Sequence, residues 1–369
     1  MATRKKRFGY IGIVILVALI FVSAFYRLPY EVMKPGDAHP LDPAIKIDGA
    51  HEYKNGQFMF MTVTLIAKPN IYQYIWAKFK KYHKIYPLDQ FLDKGESQQE
   101  YHIYQLHLMN TAQFAATYVA YEKAGKNPKI NHKGLIVVRL INGMPAEKKL
   151  KLGDLIIAAE GHEVKTHDDL LQVMKGKGKG DSVQLTVKRD GKKVQVTVPI
   201  GRFPDRLINK SRKENPDKYG VGIFQVPNVE LKVKPPVHFD TAQIGGPSAG
   251  LMFTLGIYNR LTEENWTKGY KIAGTGTMSI QRDPKSNKVI GRVGPIGGIK
   301  EKVVAADKEN VEIFFAPVRA HNYDHAVEAA KDIGTDMKIV PVKTFGDALD
   351  YLKKLEPKKG SNEEVSNAA

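Results

Sequence analysis

The sequence predicts an α+β protein with an N-terminal membrane helix, a β-rich module in the middle and a larger α+β domain at the C-terminal end. Three observations predict this. Residues 8–26, "FGYIGIVILVALIFVSAFY", carry no charge and follow the basic cluster Arg4, Lys5, Lys6 and Arg7. Residues 131–200 consist of short alternating strands around one helix, with Asp190-Gly191 between two alternating runs as a hairpin signal. From about Tyr219 to Leu355, strand-like and helix-like patterns alternate.

At about 1.5 Å per residue the first run reaches roughly 28 Å as a helix, about the thickness of the hydrocarbon core. The basic cluster should stay on the cytoplasmic side and send the rest of the chain out. Val22-Ser23-Ala24 also fits a signal-peptide cleavage pattern, but the apolar run is long for that, so a retained anchor over 1–30 is the expectation. Residues 31–45, with three prolines, read as a juxtamembrane linker. In 46–130, "GQFMFMTVTLI" reads as a strand. "NIYQYIWAKFKKY" and the stretch from Tyr101 to Gly125 show helical spacing, for example Ile103, Leu106, Met109 and Phe114. The aromatic, Met and His residues there read as core or flank. His102 and His107 lie five apart and share no helix face, so no metal site is expected. The tail 357–369 is polar and reads as disordered.

The 369 residues hold 56 basic and 39 acidic side chains, a net charge of +17, and no cysteine. The charge favours anionic partners such as a phospholipid surface or cell envelope. It is scattered, and zinc-finger spacing and basic-aromatic stretches are missing, which argues against nucleic acid. Without cysteine there are no disulfides and no thiol nucleophile.

Residues 131–200 resemble a PDZ domain. "KGLIVV" matches the family's loop and peptide-accepting strand, "LKLGDLIIAAEG" its central segment and "THDDLLQVMKG" its groove helix. The resemblance implies that a peptide adds as a β-strand along Gly134, Leu135, Ile136 and Val137.

In the domain 201–356 the chemistry centres on "QIGGPSAGLMFTLGIYNRL". Gly245, Gly246 and Pro247 suit a tight turn into a helix, which would leave backbone N–H groups and a positive helix end near Ser248. Ser248 is therefore either a nucleophile, with Gly246 and Ala249 in the oxyanion turn, or a helix cap. His238 and Asp240 are near in sequence but form no triad pattern. "GRVGPIGGIKEKVVAA" offers a lysine behind a second Gly-rich turn. Lys300 is taken as the buried base and Lys302, two residues on, as a solvated charge.

These two segments resemble the proteolytic domain of Lon-type Ser/Lys peptidases: "GGPSAG" places Ser248 as nucleophile, "GPIGGIKEKVVAA" places Lys300 as general base, and "GTGTMSI" places Thr275 in support. The match runs from about Phe239 to Leu355. Gly245 stands where the family usually has an acidic residue, and "QRDPKSNKV" lengthens a hairpin. The chain has no G-x-x-x-x-G-K-[ST] loop, so no ATP and no other cofactor is expected. Anchor, PDZ and Lon-like parts in this order resemble the membrane-bound YlbL or SepM type. This implies a single-pass cell-membrane protein that cleaves exported peptides or small membrane-associated proteins outside the cytoplasm, with homo-oligomerisation left open. A non-catalytic PDZ envelope scaffold and a carboxyl-terminal-processing Ser/Lys protease are the alternatives. The resemblance also suggests that the strand near Phe58–Ile66 joins the C-terminal sheet, making the PDZ module an insertion.

Overall fold

The computed structural model describes residues 17, 21–90, 98–204, 219–241, 244–359 and 365–367. Most of the expected anchor lies outside these residues. Among the described residues no helix is long and apolar enough to cross a membrane.

The chain divides into two compact units: 1–94, 108–125 and 235–369 form one, and 95–107 with 126–234 form the other. The first is built on a mixed six-stranded sheet in the order Lys338–Val342, Ile313–Pro317, Lys271–Gly274, Gln57–Ala67, Tyr30–Pro40, Lys84–Pro87. The first four strands run parallel and the last two join antiparallel. Gln57–Ala67 is thus a central strand, parallel to Lys271–Gly274, so segments before and after the β-rich module share one sheet.

Alternation along these strands sends successive residues to opposite faces. Met59, Met61, Ala273, Phe314 and Ala316 pack with Ile299, Val303 and Ala306 of the helix Ile299–Lys308. On the other face the ring of Phe60 lies 5.4 Å from that of Phe253, on the helix Gly250–Leu261. The two helices therefore cover opposite faces of the same sheet.

Residues expected to form the linker instead form the strand Tyr30–Pro40, with Val32 and Met33 buried. Its prolines fit for a physical reason. The edge strand Lys84–Pro87 pairs only with Tyr30–Met33, so from residue 34 onward one side of the strand is unclaimed by that neighbour. The pairing with Gln57–Ala67 is itself irregular between Pro35 and Ala38. A residue without an N–H is tolerated at such an edge or bulge. In the tail, Val365–Asn367 pairs with His51–Tyr53, where disorder was expected. The segment 283–288 closes the hairpin of Thr277–Arg282 and Val289–Gly294, Asp283 Oδ1 accepting from the N–H groups of Lys285 and Ser286.

The second unit has a sheet in the order Lys192–Pro199, Ser182–Arg189, Leu155–Ala159, Lys129–Leu140, Ile223–Lys232, and its helix His167–Met174 is capped by Thr166 with Asp169 in a reciprocal capping box. Asp154, buried, receives the Arg189 guanidinium at 2.6 Å.

Candidate active site

Thr275 follows the strand Lys271–Gly274, and Ser248 and the Lys302 side chain converge on it. The serine helix starts at Gly250 with Ala249 as its N-cap, so Ser248 lies just before it and caps nothing through its side chain. Gly246, at φ 92, makes the preceding turn in a conformation that favours glycine. Close packing seats this turn: Leu251 N–H donates to Gly276 O at 3.0 Å, and Gly276 N–H to Ser248 O at 2.8 Å. A Cβ on Gly250 would come within 2.6 Å of Met278 N.

The lysine helix starts at Gly298, which has φ 71. The loop before it is clasped by Asn322, whose Oδ1 accepts from Ile296 N–H at 2.8 Å and whose Nδ2 donates to Ile296 O at 3.0 Å. The Asn322 side chain is buried, and the sequence pattern alone gave no sign of it.

Lys302, rather than Lys300, faces the serine. Its Nζ donates to Ser248 Oγ at 2.7 Å and to Thr275 Oγ1 at 3.1 Å. Lys300 Nζ instead pairs with Glu328 at 2.6 Å on the surface, where it holds the Glu328 carboxyl below its ordinary range. At 100° per residue, two positions along a helix turn a side chain by about 200°, so only one of the two lysines can face the sheet. Ile299, Lys302, Val303 and Ala306 are among the buried residues of this helix, as are Glu301 and Ala305, and Lys302 is 2% exposed. Burial lowers its amine from an ordinary 10.5 to about 7, because the ammonium loses its hydration and gains no carboxylate partner at hydrogen-bond distance.

Thr275, which is fully buried, completes the group. Its hydroxyl donates to Ser248 O at 3.0 Å, so its oxygen is left to accept from Lys302. With one Nζ–H held by Thr275, a neutral amine has its lone pair free for the Ser248 hydroxyl. Such a trio can hold a serine next to an uncharged base, with Ser248 half-buried and Lys302 and Thr275 buried behind it.

The expected peptide edge of the second unit is not open. Ile223–Lys232 lies antiparallel along Lys129–Leu140, with Gln225, Val226, Pro227 and Asn228 opposite Val137, Ile136, Leu135 and Gly134. Gln225 Nε2 meets Nδ1 of His167, the first residue of the helix, at 2.7 Å, and the Arg139 guanidinium lies 3.7 Å from the Phe224 ring centroid. The groove edge is filled by the chain's own strand, a pairing of residues some ninety positions apart that local sequence patterns do not reveal.

Comparison with known proteins agrees with this arrangement. Residues 232–354 match the family model of the Lon protease (S16) C-terminal proteolytic domain, and residues 123–200 match that of the PDZ domain. The C-terminal part of the chain is therefore similar to the proteolytic domain of the Lon (S16) serine peptidases. A second segment, 123–200, matches the PDZ domain and lies in sequence between two paired strands of the first unit's sheet, Gln57–Ala67 and Lys271–Gly274. Lon protease of Metamycoplasma arthritidis is 29% identical over 38% of this chain and 15% of its own length. That of Campylobacter concisus is 32% identical over 43% of this chain and 17% of its own. The aligned part is thus under a fifth of each of these two relatives. The PDZ domain of an SdrC-like protein from Listeria monocytogenes is 23% identical over 27% of this chain and 93% of its own, with a TM-score of 0.22.

Proposed function

We propose that the protein is an ATP-independent endopeptidase that works by a Ser248/Lys302 dyad, anchored in the cell membrane by its N-terminal segment and acting on exported peptides or small membrane-associated proteins. The observation that carries the reading is the 2.7 Å contact of Ser248 Oγ with an amine that burial lowers to about 7.

In the proposed cycle, neutral Lys302 takes the Ser248 proton as Oγ attacks the scissile carbonyl carbon. The carbonyl oxygen becomes an oxyanion beside the main chain of Gly246 and Ala249, at the positive end of the serine helix. The Lys302 ammonium then gives its proton to the leaving amine, and the C–N bond breaks. Water attacks the acyl-enzyme, passing a proton to the same amine, which returns it to Ser248 Oγ as the acyl–Oγ bond breaks and the acid product leaves. Thr275 holds one Nζ–H throughout, which aims the lone pair at the serine.

The membrane part of the reading rests on Arg4–Arg7 before the uncharged run 8–26. ATP independence rests on the missing phosphate-binding loop. The PDZ module would admit a peptide only by displacing Ile223–Lys232. Full-length protein in detergent, incubated with a mixed peptide library and followed by mass spectrometry, tests the dyad. Ser248→Ala and Lys302→Ala should each remove new cleavage products while leaving the circular dichroism spectrum intact. Parental cleavage by either variant rejects it.

A further inference from the structure

The helix Ile71–Phe79 turns its apolar stripe outward. Tyr72, Ile75, Trp76 and Phe79, at helical spacings of three and four, are 44, 48, 46 and 84% exposed, and of its nine residues only Ala77 is buried. This inverts the usual packing of an amphipathic helix, and a clustered aromatic face of this kind marks a surface that meets something else. The helix is firmly formed, because Asn70 and Gln73 make a reciprocal capping box at its start.

Two features say what it meets. The first is charge: residues 70–81 contain no acidic side chain. Lys78 and Lys80 are exposed and lean over the rings of Tyr74 and Trp76, at 5.4 and 5.9 Å. Aromatic rings with lysines beside them suit the boundary between acyl chains and phosphate headgroups. The second is continuity. The described end of the uncharged N-terminal run arrives at this helix: Arg27 bridges Asn70, Leu28 N–H donates to Pro69 O at 2.9 Å, and Ser23 Oγ lies 2.6 Å from Tyr72 Oη. Phe21, Val22 and Phe25, in the last turns of that run, are 65, 64 and 65% exposed.

We propose that Ile71–Phe79 is an interfacial helix that lies on an anionic lipid bilayer, with Trp76 and Phe79 at the acyl boundary and Lys78 and Lys80 on the phosphates. The choice of a bilayer as occupant rests on the membrane reading of the N-terminal segment. With that segment inserted, docking of the helix is an intramolecular step and needs little affinity of its own. The peptidase unit would then ride against the membrane surface.

The chain has two tryptophans, and Trp266 is buried at 4% exposure, so it serves as an internal reference. Full-length protein would be reconstituted into vesicles of phosphatidylcholine with about a third phosphatidylglycerol, with and without brominated acyl chains. The expected result is at least a twofold loss of emission in brominated vesicles. It should be absent in Trp76→Phe, whose remaining emission comes from Trp266, and in the exposed-site double variant Ile75→Glu/Phe79→Glu. It should be at least twofold weaker in pure phosphatidylcholine. Vesicle flotation separates this proposal from the anchor reading. Protein that floats while its Trp76 stays unquenched and open to iodide overturns the interfacial helix alone. Protein that does not float overturns the anchor, and with it the choice of occupant. Trp76 shielded from iodide but unquenched by bromine points to a second copy on this face and also overturns the proposal.

Discussion

Replacing Lys302 with methionine should abolish hydrolysis and make the protein more stable, in a pH-dependent way. The buried amine is lowered from 10.5 to about 7. The folded state therefore binds fewer protons than the unfolded chain between those two values, and stability rises with pH across that window. Below pH 7 the full cost of the buried ammonium is present, about 5 kcal/mol at roughly 1.4 kcal/mol per pH unit. Methionine fills a similar volume without that cost but gives up the hydrogen bonds to Ser248 and Thr275, about 1 kcal/mol each. The net expectation is about 3 kcal/mol of added stability at pH 6, shrinking to nothing or reversing by pH 10. Urea unfolding of full-length wild type and Lys302→Met at several pH values, beside peptide hydrolysis, measures both effects. Activity should fall by about 10³-fold or more, in the range a general base contributes. A variant that is less stable at pH 6, or whose stability difference does not change with pH, would refute the argument that an unpaired buried amine sits beside Ser248.

Lys300→Ala should leave kcat/KM within about twofold of wild type, since its partner is Glu328 on the surface and such pairs contribute under about 1 kcal/mol; a large loss of activity would restore it as the base. For the wild type, kcat/KM should rise through a midpoint near pH 7 as Lys302 loses its proton, measured on a neutral peptide. Gly298→Ala should destabilise by about 1–3 kcal/mol and slow hydrolysis, because Gly298 has φ 71 and a Cβ there would come within 2.7 Å of Val63 Cγ1. Gly297→Ala, which meets nothing within 4 Å, should unfold in the same urea concentration as wild type. In the PDZ unit, Val137 N–H donates to Asp154 O, so the neighbouring Ile136 amide points to the other edge, opposite Val226. It should exchange with deuterium at least about 100-fold more slowly than an open amide, and fast exchange would mean the groove edge is free.

Much of the fold was legible in the sequence because its signals are local. Glycines before Ser248 announce a turn, and the Asp190-Gly191 hairpin and the Asp283 turn each reveal themselves within a few residues. The lysine was misplaced by two positions although its signal was present: Ile299, Lys302, Val303 and Ala306 follow the helical period, and a lysine inside an apolar stripe is the one that is buried. Reading Lys300 from its closeness to the Gly-rich turn ignored that period. Other differences have a different origin. Periodicity marks an apolar stripe on Ile71–Phe79 but not which side of it faces the protein, so the aromatics read as core or flank, and Tyr72, Trp76 and Phe79 are exposed. Prolines between 31 and 45 look the same in a linker and on a poorly paired strand edge, and only the partner strands decide. The strand that fills the PDZ groove comes from a segment remote in sequence, beyond the reach of any short window.

The peptidase sheet also sets an order of events during synthesis. Its central strand, Gln57–Ala67, waits for Lys271–Gly274, roughly 200 residues downstream, before it can pair on that side. Closing so long a loop is slow, whereas residues 126–234 form a contiguous stretch whose strands can pair as they emerge. Ser248 and Lys302 therefore come together only after most of the chain has left the ribosome. A half-made copy lacks the Ser248–Lys302 contact, and the pair assembles only in the nearly complete chain.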